Sequence, residues 1–180
     1  QCTGKADNQT ATTSGQASGE LTGMKIAYVE IDTLLAQYNF CIDLNEGMVK
    51  KSENVRLTLN QKARELDKQK QDFQTKYQNN AYLSPERAQQ EYNRIAKLEQ
   101  DLQTLSNKLQ SELMSENEKN SLQLRDSINA FLKEYNKTKG YSMIISNTGF
   151  DNLLYADSIY NITKEIVEGL NARYSSPAKK

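Results

Sequence analysis

The sequence contains no histidine and no tryptophan, and it has only two cysteines, Cys2 and Cys41. The absence of histidine excludes a histidine-based catalytic triad, and two distant cysteines do not form the ligand spacing of a metal site. The eight glycines do not form a glycine-rich phosphate loop. Carboxylates are numerous, but on solvated helices they are typical surface residues rather than an acid–base pair. The sequence therefore predicts no enzyme, no metal and no cofactor.

The chain also lacks an excess of charge of either sign. Lysine plus arginine and aspartate plus glutamate both number 23 in 180 residues, and the isoelectric point is near 6.6. A protein that binds nucleic acid by neutralising phosphates is usually strongly basic, so we predict no nucleic-acid partner.

Hydrophobic content is low, at 37 % of residues with a mean hydropathy of −0.80. This composition argues against a single large core. The longest apolar runs are too short for a transmembrane helix or for the core of a signal peptide, so we expect the given chain to be a mature or trimmed form.

The two ends of the chain are polar. Residues 1–23 are rich in Thr, Ser, Gly, Gln and Ala, which predicts a disordered tether, and residues 173–180 are expected to form a flexible tail. Cys2, at the head of the tether, resembles the acylated first residue of a bacterial lipoprotein, although Gln1 is not the small residue usually found before that cysteine. The alternatives are a lipid anchor at Cys2 and an unmodified thiol.

The region from about residue 43 to 140 predicts two long helices that fold back on each other at a tip near residues 79–85. At the tip, Ser84 is a good N-cap and Pro85 a good first helical residue. At ~1.5 Å per residue the second helix spans roughly 80 Å, far more than a globular helix needs, so the hairpin 43–139 is expected to protrude as an arm.

Both helices carry the apolar stripe of a coiled coil, but the stripe is interrupted. Lys62 and Gln69 occupy seam positions of the first helix, and Glu116, Asn117 and Asn120 interrupt the second, which predicts loose or hydrated packing. The stripe residues are Val55, Leu59, Leu66, Phe73 and Tyr77, then Ile95, Leu98, Leu102, Leu105, Leu109, Leu113, Leu124, Ile128, Phe131 and Tyr135.

Residues 24–42 and 140–172 predict a small α/β core built from both ends of the chain. Strands are predicted at 24–31, 141–146 and 153–156, and the last two form a hairpin. A short helical turn capped by Asp32 or Thr33 follows the first strand, and Cys41 is expected to be buried and unreactive. A terminal helix opens at Asn161 or Thr163, and Gly140 ends the second arm helix.

The predicted fold class is α+β and predominantly helical: a small β-strand core that carries a long antiparallel coiled-coil hairpin. So few strands bury little surface and leave exposed edges, so we expect the core to oligomerise.

Four runs together resemble the OmpH/Skp family of periplasmic chaperones: KIAYVEID at 25–32, YSMIIS at 141–146, LYAD at 154–157 and ITKEI at 162–166, in that order around the charged hairpin. The resemblance covers roughly residues 24–172. It implies a homotrimer whose strands form a central barrel, with arms that hold unfolded outer-membrane proteins in the periplasm of a Gram-negative bacterium without ATP. The trimer-core positions that it implies are Ile26, Tyr28, Ile31, Met143, Ile144, Ile145, Leu154 and Tyr155.

The arm offers apolar and aromatic side chains for weak contacts with unfolded clients. Tyr82 and Leu83 at the tip and Met114 on the second helix are the candidate client contacts, whereas Phe73, Tyr77 and Tyr92 lie near the seam and are expected to join the two helices. The family's best-known member is strongly basic and this chain is neutral, so we assign no lipopolysaccharide site and expect weak salt dependence.

The competing interpretation is a structural protein: a coiled-coil spacer of the cell envelope whose arms bind one specific folded partner. A spacer is expected to have a regular, well-filled seam, whereas a holdase tolerates interruptions. The polar residues in both stripes therefore favour the holdase.

Overall fold

Two short strands from opposite ends of the chain pair in parallel. The computed structural model describes residues 23–149 and 153–175. Strand β1 (Ile26–Glu30) pairs with β2 (Met143–Asn147), in a register that runs from Ile26 opposite Met143 to Glu30 opposite Asn147. Parallel strands need a long crossover, and here the crossover is the whole helical hairpin. The predicted strands at 24–31 and 141–146 are confirmed.

The predicted third strand at 153–156 and its hairpin are wrong, because the sheet in the described residues has two strands. The segment after residue 152 instead leads to a 3-10 helix (Ser158–Tyr160), where the side chain of Asp157 accepts a hydrogen bond from the backbone of Ile159 at 3.0 Å. That turn brings Asn161 beside Tyr28, and the Ile162 amide donates to the Tyr28 carbonyl at 3.0 Å. The far edge of β1 is therefore partly occupied by the entry to the last helix.

Helix α1 (Ile31–Gln37) follows β1 without a loop, and α4 (Thr163–Arg173) packs beside it. The predicted cap by Asp32 or Thr33 is wrong, since the helix begins at Ile31 after Glu30, which makes no side-chain cap. The start of α4 is confirmed, because the Asn161 side chain accepts from the Thr163 amide at 3.0 Å. The buried apolar core consists of Ala27, Val29, Leu34, Tyr38, Cys41, Phe131, Ile162, Ile166, Val167 and Leu170.

The arm helices reach into this core. Helix α2 (Asn39–Gln78) is separated from α1 by the single extended residue Tyr38. Tyr38 is 2 % exposed, and its hydroxyl shares a 2.8 Å hydrogen bond with Ser127 of α3 (Pro85–Lys139). The predicted burial of Cys41 is confirmed, and burial raises the pKa of its thiol, although a hydrogen bond from Asn45 opposes the shift.

The hairpin of α2 and α3 is the predicted arm, and its ends follow the expected local chemistry. Ser84 caps α3 by accepting a hydrogen bond from the Arg87 amide at 3.3 Å, and Pro85 is the first helical residue. Gly140 ends α3 with a φ of 67°, the left-handed conformation that glycine adopts without steric cost.

The seam between the arm helices is thinly packed. Among its apolar residues only Leu66, Ala88 and Ile95 are buried along the free length of the arm. A cavity of about 230 Å³ opens beside Leu66 and is rimmed by Lys62 and Gln69, the polar seam residues. Ion pairs join the helices where apolar contact is sparse, at Lys51–Glu116 (3.1 Å) and Lys70–Glu99 (2.7 Å). Because these pairs are solvated, each adds little stability.

Candidate functional site

One exposed apolar surface lies beside the two-stranded sheet, at the end of the molecule away from the arm tip. We call it the sheet patch: Met24, Met143, Leu154, Tyr155, Ile159 and Tyr160. Leu154, Tyr155 and Ile159 are 84 %, 83 % and 76 % exposed. Met24, Tyr155 and Tyr160 line one cavity, and apolar side chains that are exposed together are typical of a protein–protein contact.

A concave surface adjoins the patch. This cavity of about 440 Å³ is lined mainly by apolar side chains from β1, β2 and the 153–160 segment, including Ile26, Ile145 and Tyr155. Strand β2 has a hydrogen-bonded neighbour on one side only within the described residues. An open strand edge beside an apolar cavity favours association with another chain.

The predicted trimer-core residues divide into three groups. Met143, Leu154 and Tyr155 are exposed on the sheet patch, and Ile26 and Ile145 are half-buried in the adjoining cavity. Ile31 and Ile144 are also half-buried but pack against the core of their own chain, and Tyr28, which lines the cavity as well, is 7 % exposed. Tyr28 is therefore the predicted trimer-core residue that is most covered within one chain.

Sequence reasoning missed three members of the patch: Met24, Ile159 and Tyr160. A signal was available for the last two, because Leu154, Tyr155, Ile159 and Tyr160 all lie in one seven-residue stretch that supplies no residue to the buried core. The sequence pattern instead predicts a hairpin strand at 153–156 and a helix from Asn161 or Thr163, which leaves Ile159 and Tyr160 in the connection between them.

A second exposed surface is the arm tip, where three tyrosine rings cluster around Phe73. The centroid of its ring lies 5.9 Å from that of Tyr77, 5.7 Å from that of Tyr82 and 6.1 Å from that of Tyr92. These distances are in the range of favourable aromatic pairs. The rings therefore join the two helices at the tip, as expected for Phe73, Tyr77 and Tyr92.

The candidate client contacts differ in how freely they are presented. Leu83 is 95 % exposed and Met114 is 68 % exposed, so both side chains are available to a partner. Tyr82 is half-buried against Phe73. Desolvation, with a smaller effect of the Glu91 charge, raises the pKa of the Tyr82 hydroxyl. A cleft of about 390 Å³ beside the cluster is lined by Phe73, Tyr77, Pro85, Ala88, Gln89 and Tyr92.

Two classes of site are not found in the described part of the chain. Residues 23–149 and 153–175 contain no group of three or more cysteine, aspartate or glutamate side chains placed to hold a metal ion. Within the same ranges, no helix combines the length and the apolar content needed to cross a membrane. Cys2 lies outside the described residues.

Comparison with known proteins finds one family model and a solved structure that are similar to this chain. Residues 25–170 match the family model described as outer membrane protein (OmpH-like). A solved structure with a similar fold is that of a candidate outer membrane chaperone (OmpH-like) from Caulobacter crescentus CB15, with a TM-score of 0.75 at 12 % sequence identity. The alignment covers 92 % of this chain and 95 % of the other. Comparison with curated proteins finds no match.

Proposed function

Because the chain belongs to the OmpH/Skp family of outer membrane protein chaperones, a non-enzymatic family, we propose that it is an ATP-independent holdase for unfolded outer-membrane proteins in the periplasm of a Gram-negative bacterium. The observation that carries the proposal is the separation of two surfaces. An apolar sheet patch lies at one end of the molecule, and an arm of 40- and 55-residue helices carries exposed apolar side chains away from it.

The sheet patch would join three copies of the chain. Side chains as exposed as Leu154 and Tyr155 gain roughly 1.5–3 kcal/mol each when fully buried, so covering the patch favours assembly. The open edge of β2 supplies backbone groups for the same contact. A closed ring of three subunits would place three arms on the same side and enclose a space between them.

The arms would hold clients by many weak contacts. Leu83, Met114 and Tyr82 offer flexible or aromatic surface, and the thinly packed seam beside Leu66 lets each arm adjust its shape. The chain carries no net charge, so client capture would depend on apolar contact more than on steering by charge. Accordingly, we expect binding to change little between low and physiological salt.

A lipid anchor through Cys2 would keep the protein at a membrane. Two acyl chains are needed for stable anchoring, and a polar tether such as residues 1–23 would separate the body from the bilayer. Intact-mass spectrometry of the protein from the membrane fraction tests this proposal. We expect added acyl mass that disappears in Cys2→Ser, and an unmodified mass would leave the holdase proposal standing without the anchor.

The test of the holdase proposal begins with subunit number. The full chain is analysed at several concentrations by light scattering after size-exclusion chromatography. The wild type should have a mass near that of three chains, and the double variant Leu154→Asp/Tyr155→Asp should have the mass of one chain. The same samples are then mixed at stoichiometric ratio with an unfolded outer-membrane β-barrel protein, and light scattering follows aggregation. The wild type should suppress aggregation and the double variant should not.

Two results would overturn the proposal. A wild-type protein that suppresses aggregation of no β-barrel client is not a holdase. A monomer, or a dimer joined along its arms, would rule out the enclosed space and favour the spacer that binds a folded partner.

A further inference from the structure

Helix α4 makes specific polar contacts with three other parts of the molecule, and the first is the sheet. The Ile162 amide donates to the Tyr28 carbonyl at 3.0 Å, and the Glu30 amide donates to the Thr163 hydroxyl at 2.8 Å. Thr163 is 4 % exposed, so this hydrogen bond is shielded from water. The first turn of α4 is therefore fixed to the edge of β1.

The second contact is with the end of arm helix α3. Lys139, the last residue of α3, pairs with Glu165 at 2.6 Å. The Lys139 carbonyl accepts a hydrogen bond from the Lys25 ammonium at 2.6 Å, which ties the same helix end to the start of β1. A cation near the carbonyl end of a helix also interacts favourably with the helix dipole.

The third contact is with the start of arm helix α2. The Asn171 side chain accepts a hydrogen bond from the Asn39 amide at 2.8 Å and donates one to the Gln37 carbonyl at 2.9 Å. One amide group thus satisfies a free donor at the beginning of α2 and a free acceptor at the end of α1. Three residues further on, the Tyr174 hydroxyl donates to Asp43 of α2 at 2.9 Å.

These contacts matter because the arm is joined to the core by short connections. The single extended residue Tyr38 precedes α2, and residues 140–142 follow α3. A small rotation at such a base is amplified along the arm: about 5° moves the tip by about 5 Å on a lever of roughly 60 Å. Whatever fixes the base therefore determines where the tip lies.

We propose that residues 161–174, which we call the strap, set the direction of the arm relative to the sheet by holding both arm helices at their bases. Glu165, Asn171 and Tyr174 are the positioning residues: Glu165 holds α3, and the other two hold α2. The proposal goes beyond the holding of clients, because it concerns how one chain aims its arm. It does not depend on the number of subunits.

Apolar packing at the base is the competing cause of a fixed direction. The Tyr174 ring lies 5.0 Å from that of Phe40 and 6.3 Å from that of Tyr38. Tyr174→Phe keeps these ring contacts and removes only the hydroxyl that bonds Asp43. The variant therefore separates the polar attachment from the packing.

Pulsed EPR on the full chain measures the direction of the arm. Spin labels on Asp32→Cys in α1 and Gln61→Cys in α2, both exposed positions, report the distance between core and arm in a Cys2→Ser/Cys41→Ala background. Dilution of labelled protein into an excess of unlabelled protein isolates distances within one chain. The strap variant is Glu165→Gln/Asn171→Ala/Tyr174→Phe.

The control is Glu168→Gln, the same chemical change on the same helix, where the carboxylate pairs with Lys164 of α4 itself at 3.9 Å. We expect a narrow distance distribution in the labelled parent and in the control, and a distribution about twofold broader or more in the strap variant. Far-UV circular dichroism should show the same helix content in all three.

A strap variant with native helix content and an unchanged distribution would overturn the proposal. If the triple variant loses helix, Glu165→Gln and Tyr174→Phe are measured singly, since each removes one contact and keeps the packing. Broadening in either single variant supports the strap, and parental distributions in both would overturn it.

Discussion

Gly169 of α4 lies directly under the ring of Phe131 of α3. A Cβ built on Gly169 would overlap the Cζ of that ring and lie 2.8 Å from its Cε2. Phe131 is 9 % exposed and is stacked on Tyr135 at 5.8 Å between ring centroids. Helices α3 and α4 can therefore approach each other this closely only because residue 169 has no side chain.

Gly169→Ala is expected to destabilise the protein, because overpacking a filled site costs about 1–3 kcal/mol and outweighs the gain in helix propensity. Chemical denaturation monitored by circular dichroism measures the change. Gly47→Ala is the matched control: Gly47 lies in α2 with nothing within 4 Å of a built Cβ, so its replacement should stabilise by roughly 0.5–1 kcal/mol. Adding Phe131→Leu to Gly169→Ala should recover part of the lost stability. If the two substitutions instead changed the free energy of unfolding additively, the contact between Gly169 and Phe131 would be contradicted.

Glu165 should make stability depend on pH in the acid range. The hydrogen bond from Lys139 lowers the pKa of the Glu165 carboxyl below its ordinary value of 4.5. A carboxyl with a lowered pKa contributes stability above its unfolded pKa and loses it as the pH falls through its folded pKa. The melting temperature of Glu165→Gln should thus lie below that of wild type at neutral pH, and the gap should close as the pH falls through the lowered folded pKa of Glu165.

Glu168→Gln again serves as the comparison in that titration, and we expect it to follow the wild-type curve. The Lys139 and Glu165 side chains are 40 % and 47 % exposed, so solvent screening keeps the difference small. A gap between wild type and Glu165→Gln that persists unchanged to low pH would show that the ion pair is not its cause.

Cys41 should report on opening of the arm base. Burial raises the pKa of its thiol, and the side chain is 6 % exposed, so few thiolates form and reagents cannot reach them in the folded state. In Cys2→Ser protein we expect labelling by a thiol reagent to be far slower than that of a small free thiol and to accelerate in Gly169→Ala. Labelling as fast as the free thiol would contradict the buried position.

Leu83 should contribute to client binding in proportion to its exposed surface. Leu83→Ser removes apolar area at the tip, and if the contact is fully buried in the complex the dissociation constant should rise by roughly tenfold. Val49→Ser is the control, because Val49 is 69 % exposed but lies near the arm base. Fluorescence anisotropy of a labelled unfolded β-barrel client measures both. Equal effects at the two positions would argue against a specific role for the tip.

The arm was predictable from sequence because its signals are local. The recurrence of Leu98, Leu102, Leu105 and Leu109 depends only on helical periodicity, and Ser84, Pro85 and Gly140 act within one turn of their own positions. Such patterns determine a helix before any tertiary contact is made. The polar seam residues Lys62 and Gln69 likewise indicated the sparse packing that the cavity beside Leu66 confirms.

The pairing of the strands and the position of α4 were not predictable, because they depend on distant residues. A strand pattern at 141–146 does not tell whether its partner is 153–156 or β1, and turn-like residues after it favoured the nearer choice. Asn171 appears in sequence only as a polar residue near a helix end. Its hydrogen bonds to Asn39 and Gln37 span more than 130 positions and are visible only in the folded chain.

The parallel register of β1 and β2 also dictates an order of folding. Lys25 meets the carbonyl of Lys139 across 114 residues, and Glu30 meets Thr163 across 133. Helices form on local contacts in microseconds or less, whereas contacts this remote must wait for loop closure. During synthesis the arm helices can form as they emerge, but β1 has no partner strand until β2 has followed the whole hairpin out of the ribosome. The sheet and its apolar surface therefore mature after the arm, which would delay the proposed encounter between subunits until the arm of each chain has formed.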